Sequence, residues 1–150
     1  ERFIREYAPP FATIHAFNPL YEPLKISFKA VLKPDTRDPG SVKRRTERRI
    51  RVFFMAWYMD GRLPDLGVQY SCDALLSRIV NDECIADFIS LDITTSDRTH
   101  RITGEGGRDE LILSAASGYG VLYVEELDVE LVNGRSGVDE ARIGTDFVIR

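Results

Sequence analysis

The stretch Leu24-Lys25-Ile26-Ser27-Phe28-Lys29-Ala30-Val31-Leu32 decides the fold class. Apolar and polar residues alternate along it with the two-residue period of a half-buried strand. Leu24, Ile26, Phe28 and Ala30 share one face, and Lys25, Ser27 and Lys29 share the other. A strand of this kind needs a cover on its apolar face, and the next residues supply one. Pro34 to Gly40 reads as a loop, Ser41 is placed to cap a helix, and a helix should follow from about Val42 to Tyr58. At roughly 100° per residue, Val42, Ile50, Phe53, Phe54 and Trp57 fall on one side of it, and Arg44, Arg48 and Arg51 on the other. Asp60-Gly61-Arg62-Leu63-Pro64 ends that helix, and Val68 to Tyr70 reads as a short extended piece. Ser71-Cys72-Asp73 opens a second helix with Leu75, Leu76 and Ile79 as its buried stripe, closed by Asn81-Asp82.

Beyond it, Ala86 to Ile93 alternates again as a strand, Thr99 to Arg108 reads as a polar loop with Gly104, Gly106 and Gly107, and Leu111-Ile112-Leu113 reads as a short buried strand. Leu122 to Val132 reads as a longer strand in which Leu127, Val129 and Leu131 face in while Glu126, Asp128 and Glu130 face out. The order predicts an α+β fold: a small mixed sheet with two helices packed on one face, a strand-helix-helix-strand core plus additional C-terminal strands. Toward the N-terminus, residues 1–7 read as the end of a helix stopped by Pro9-Pro10, Ala12 to Phe17 as extended chain, and Asn18-Pro19 as a turn. The expected division is therefore residues 1–16 as the end of a preceding domain and a linker, 17–133 as the α+β domain, and 134–150 as a C-terminal extension. Asn133-Gly134-Arg135-Ser136-Gly137 has linker chemistry, and the extension closes on Phe147-Val148-Ile149. Because the sequence starts at Glu1 rather than Met, it is expected to belong to a longer protein.

The 150 residues carry 20 Lys and Arg against 24 Asp and Glu, a net charge of −4 that argues against a dedicated nucleic-acid binder. No apolar run approaches the roughly 20 residues of a membrane helix, and the opening residues lack the layout of a signal peptide. Cys72 and Cys84 fit neither a disulfide framework nor a C-x-x-C site and are expected to be reduced and structural. With only His15 and His100, the usual general base is scarce, so no catalytic residue, cofactor or metal is expected. The glycines of 104–107 and 118–120 lack the strand-before, helix-after context of a phosphate loop and read as turns. Two charged groups stand out. Lys43, Arg44, Arg45, Arg48, Arg49 and Arg51 against Glu47 give a local net charge of +5, and Glu126, Asp128 and Glu130, with Glu125 beside them, form an acidic row. For the basic run the readings are a solvated helix face, a protein interface or a nucleic-acid contact. For the acidic row they are a solvated face, a protein contact or a Ca²⁺ or Mg²⁺ site. The interface residues expected from this are Arg44, Arg48, Arg51, Glu126, Asp128 and Glu130.

Ile4-Arg5-Glu6-Tyr7, Pro10-Phe11-Ala12-Thr13-Ile14-His15 and Asn18-Pro19-Leu20-Tyr21-Glu22-Pro23-Leu24 running into a strand resemble the C-terminal region of the baseplate J-like wedge proteins of contractile phage tails and extracellular contractile injection systems. The likeness continues through the Pro34 to Gly40 loop, the helix ending Ile50 to Trp57, the second helix Tyr70 to Ile79, the strand Ala86-Asp87-Phe88-Ile89 and Leu111-Ile112-Leu113-Ser114-Ala115. It departs from the family pattern at Met55-Ala56, Gly67 and Val80, all turn or surface positions. The resemblance implies a structural, non-enzymatic baseplate wedge domain over residues 17–133. Its implied partners are other wedge subunits, a second related wedge protein among them, with spike or hub and sheath-adjacent proteins as further neighbours. No small-molecule substrate, nucleic acid or membrane insertion is implied, and the implied location is the baseplate of a phage tail or tail-like particle assembled in the bacterial cytoplasm. The alternatives are a nucleic-acid-binding α+β module using the basic helix 42–57, and a small hydrolase using carboxylates around Glu125 to Glu130.

Overall fold

A computed structural model describes residues 18–104 and 111–134. In chain order the elements are β1 (Leu20–Leu32), α1 (Pro39–Met59), β2 (Gln69–Ser71), α2 (Cys72–Val80), β3 (Ile85–Thr94), β4 (Thr99–Thr103), β5 (Ile112–Ser114) and β6 (Gly120–Asn133). Four of them form a mixed sheet in the order β4-β3-β1-β6. In it β1 is antiparallel to β3 and parallel to β6, and β3 is antiparallel to β4. β2 and β5 make a separate antiparallel pair. The α+β class expected from the sequence is the fold observed, with both helices contributing to one core on one face of the larger sheet. The expected helix over residues 1–7, the extended piece 12–17, the loop beyond Gly104 and the extension from Arg135 lie outside the described residues.

The core follows the alternation of β1. Leu24, Ile26, Phe28, Ala30 and Leu32 are all buried and meet Val42, Ile50 and Phe54 of α1 and Cys72, Leu75, Leu76 and Ile79 of α2. Phe28 stacks on Phe88 of β3 with ring centroids 5.9 Å apart. Arg78 of α2 lies over the Phe53 ring at 5.2 Å, and the Tyr70 hydroxyl donates to the Phe54 carbonyl at 3.2 Å, so α2 and β2 are tied to the C-terminal half of α1. That half bends at Met55, whose backbone leaves helical dihedrals (φ −128°, ψ 35°). There the Met55 Sδ accepts the Val124 N–H from the outer edge of β6 at 3.3 Å.

Three local expectations are corrected. Helix α1 is capped by Asp38 rather than Ser41: the Asp38 Oδ1 accepts the Ser41 N–H at 3.0 Å, and Pro39 occupies the first helical turn, where its missing N–H costs nothing. β1 begins at Leu20, four residues before the alternating stretch, and runs through Pro23. β3 pairs only from Lys25 onward, so at Pro23 the strand has a neighbour on one side only and the ring can face the unpaired side. Finally, Thr99 to Thr103 is a strand, not loop: it completes a hairpin with β3 through Leu91 opposite Ile102 and Asp92 opposite Arg101.

One turn depends on a glycine. Gly67 has φ +66°, donates to the Gly120 carbonyl at 3.1 Å, and would place a Cβ 2.7 Å from the Gly118 carbonyl oxygen. Gly67→Ala should therefore cost more than about 1 kcal/mol, read as a lowered midpoint in urea unfolding; an unchanged midpoint would show that this turn relaxes freely.

Candidate functional site

The six residues singled out by charge fall on two opposite sides of the molecule. Arg44, Arg48 and Arg51 recur at four- and three-residue spacing, which sets them in one stripe along α1, and all three are exposed. Among the described residues none of the three has an ion-pair or hydrogen-bond partner, although Glu47 lies between them on the same helix. Glu126, Asp128 and Glu130 project from β6 onto the open face of the sheet, away from the helices. The structure thus brings each trio together but keeps the trios apart.

Two of the six basic residues of α1 have another use. Arg45 and Arg49 sit one turn apart beside the apolar stripe and both reach Asp82, just past the end of α2. Arg45 donates Nε and Nη2 to the two Asp82 oxygens at 2.7 Å each, and Arg49 donates Nη1 at 2.8 Å. The Cys84 backbone N–H adds a fourth donor at 3.1 Å. The Asp82 side chain is only 2% exposed, so this is a buried carboxylate satisfied from three sides. The Arg45 hydrogen bonds, assisted by the Cys84 N–H and the Arg49 charge, hold its carboxyl down to about 2 although burial pushes the other way. In the sequence Arg45 and Arg49 belong to one undivided basic run. Their position flanking Val42, Thr46, Ile50 and Phe53 was the signal that they face a neighbour rather than solvent.

The acidic row is also less free than the sequence implied. Parallel register sets Lys25 opposite Glu126, Ser27 opposite Asp128 and Lys29 opposite Glu130. Lys25 bridges Glu126 at 2.7 Å and Lys29 bridges Glu130 at 2.8 Å, which leaves Asp128 as the member of the trio without a cation. Next in the same row, Asp92 of β3 is held by Arg101 of β4, with Nε and Nη2 donating at 2.6 and 3.0 Å. No group of three or more His, Cys, Asp or Glu among the described residues is arranged to hold a metal ion. Both cysteines are free, and burial pushes the Cys72 thiol up to about 11, far from the thiolate that nucleophilic chemistry needs.

A third surface was not anticipated from the sequence. Leu20, Tyr21, Tyr58, Met59, Leu63 and Leu66 are all exposed. Short contacts draw their segments to one end of the molecule: Tyr21 lies 6.2 Å from Trp57, which lies 5.9 Å from Tyr58, and the 62–67 loop is pinned by Arg62 N–H to the Trp57 carbonyl and Gly67 N–H to the Gly120 carbonyl. Large exposed apolar patches mark interaction surfaces in folded proteins, and these side chains gather at one end. No protein-family model matches the chain, and a search of curated proteins finds no match to it.

Proposed function

We propose that this chain is a structural, non-enzymatic wedge component of the baseplate of a contractile phage tail or contractile injection system, held among other baseplate subunits by charged and apolar surfaces. The observation that carries this reading is the division of labour on α1. Arg45 and Arg49 are both paired with Asp82 within the domain, whereas Arg44, Arg48 and Arg51 are left without partners on the outer face. Like charges at this spacing repel by a few tenths of a kcal/mol, so the stripe brings an isolated domain nothing. An acidic surface on a neighbouring subunit would reverse the sign, and arginine's planar fork suits paired carboxylates. The resemblance of the 4–132 segment to baseplate J-like wedge proteins supports the same role. The exposed apolar end, Leu20, Tyr21, Tyr58, Met59, Leu63 and Leu66, supplies the surface from which affinity comes, with the arginines setting orientation and partner choice.

The test is the triple variant Arg44→Glu, Arg48→Glu, Arg51→Glu in the full-length protein. It should fold, because none of the three touches the core, and its incorporation into particles should fall by about tenfold or more. Normal incorporation would refute the interface. Tight, steeply salt-dependent binding of the unmodified chain to duplex DNA or RNA, lost in the triple variant, would instead favour the nucleic-acid-binding module.

A further inference from the structure

The four-stranded sheet ends in two open edges, β4 on one side and β6 on the other. We infer that β4 of one copy docks along β6 of a second copy, so that the sheet continues from molecule to molecule with Arg101 set against Asp128. The inference is independent of the baseplate reading.

Strand direction permits the joint. β6 is parallel to β1, and β4, antiparallel to β3, which is itself antiparallel to β1, runs the same way. A copy displaced along the sheet therefore presents β4 parallel to β6 with the same face outward. The outer faces then match in charge. β4 offers Thr99, Arg101 and Thr103 there, and β6 offers Glu126, Asp128 and Glu130. Lys25 and Lys29 already occupy the outer two carboxylates, and Asp128 has no cation. Arg101 spends Nε and Nη2 on Asp92, which leaves Nη1 without a partner. A guanidinium has five N–H donors in a planar fork and can serve carboxylates on both flanking strands. The inner faces match as well, since Ile102 of β4 and Leu127 of β6 are half-buried against the core and would cover each other.

Charge disfavours one rival pairing. Two β6 edges would set one acidic row against another, and like charges directly opposite destabilise paired strands. The extent also fits. The Met55 Sδ closes the β6 edge at Val124, and from Glu125 to Asn133 no described strand covers it, which is longer than the five residues of β4. Because the two surfaces differ, the joint is head-to-tail and adds copies without the closure of a two-fold dimer.

Sedimentation velocity on the 150-residue chain, from low micromolar to near-millimolar concentration, tests this. Unmodified protein should grow in mean mass with concentration and show no dimer plateau. Asp128→Arg and Arg101→Glu should each weaken association by about tenfold or more, and the double variant should recover it, because the reversed pair again matches. An equimolar mixture of the two single variants should also associate, each supplying the edge the other lacks. Circular dichroism on every variant checks the fold, above all for Arg101→Glu, which sets a carboxylate opposite Asp92. A chain that stays monomeric at all concentrations overturns the inference, and so does association that ignores both reversals or a double variant no better than the singles.

Discussion

Phe28→Ala should be the most damaging single substitution in this domain, lowering unfolding free energy by about 3–5 kcal/mol. Phe28 is fully buried at the centre of β1, between β3 and β6, and stacks on Phe88. Its ring has no route to solvent, and the neighbours that would have to collapse into the space belong to sheet and helices alike, including Ile50, Phe54 and Leu75. Phe28→Leu keeps most of the volume and should cost less than about 1.5 kcal/mol. Urea unfolding monitored by tryptophan fluorescence gives both values. The slope with denaturant should stay constant if the folded surface is unchanged. A loss below 1 kcal/mol for the alanine variant would mean that the centre of the core lies elsewhere.

Asp82→Ala comes next, at about 3 kcal/mol. It strands the Cys84 N–H and removes the acceptor that joins Arg45 and Arg49 of α1 to the end of α2. The two arginine side chains remain 43% and 37% exposed, so they can turn to water, and the loss stays below that of a fully buried pair. The same carboxylate sets an acid limit on stability. The Arg45 hydrogen bonds hold its pKa in the folded protein down to about 2, below the ordinary 3.8 of an aspartate. Its contribution is therefore complete above about pH 4 and is lost as pH falls through 4 toward 2, an effect of about 1–2 kcal/mol after allowing for solvent screening at the arginines. Asp82→Asn should be less stable at pH 6 and should lose this part of the pH dependence. An identical acid profile in the Asn variant would show that other carboxylates govern acid unfolding.

The parts of the fold that the sequence announced are those with strong periodicity. The β1 alternation, the apolar stripes of α1 and α2 and the outward acid row of β6 stand where the pattern put them. β4 escaped because Thr-His-Arg-Ile-Thr offers one apolar side chain, Ile102, and is followed by glycine. Its pairing comes from the β3 hairpin rather than from its own pattern. The start of β1 escaped because Pro23 argues against a central strand, and only the tertiary fact that the pairing with β3 ends at Lys25 makes it acceptable. Asp82 escaped because a carboxylate at a helix end reads as a cap. The basic run hid the partition between paired and unpaired arginines, which depends on which flank of the helix faces α2. One cue was present and unused: Lys-x-Ser-x-Lys in β1 and Glu-x-Asp-x-Glu in β6 have the same spacing and opposite charge, which foretells that these two distant strands are neighbours.

Whether the outer arginines of α1 are held by another subunit is decided most directly by imaging the native assembly that contains the full-length chain, at a resolution that places side chains. The account predicts Arg44, Arg48 and Arg51 within about 4 Å of carboxylates on a neighbouring subunit, with the apolar end around Tyr21 and Tyr58 covered. All three arginines standing in open solvent, or lying against a nucleic-acid backbone, would contradict it.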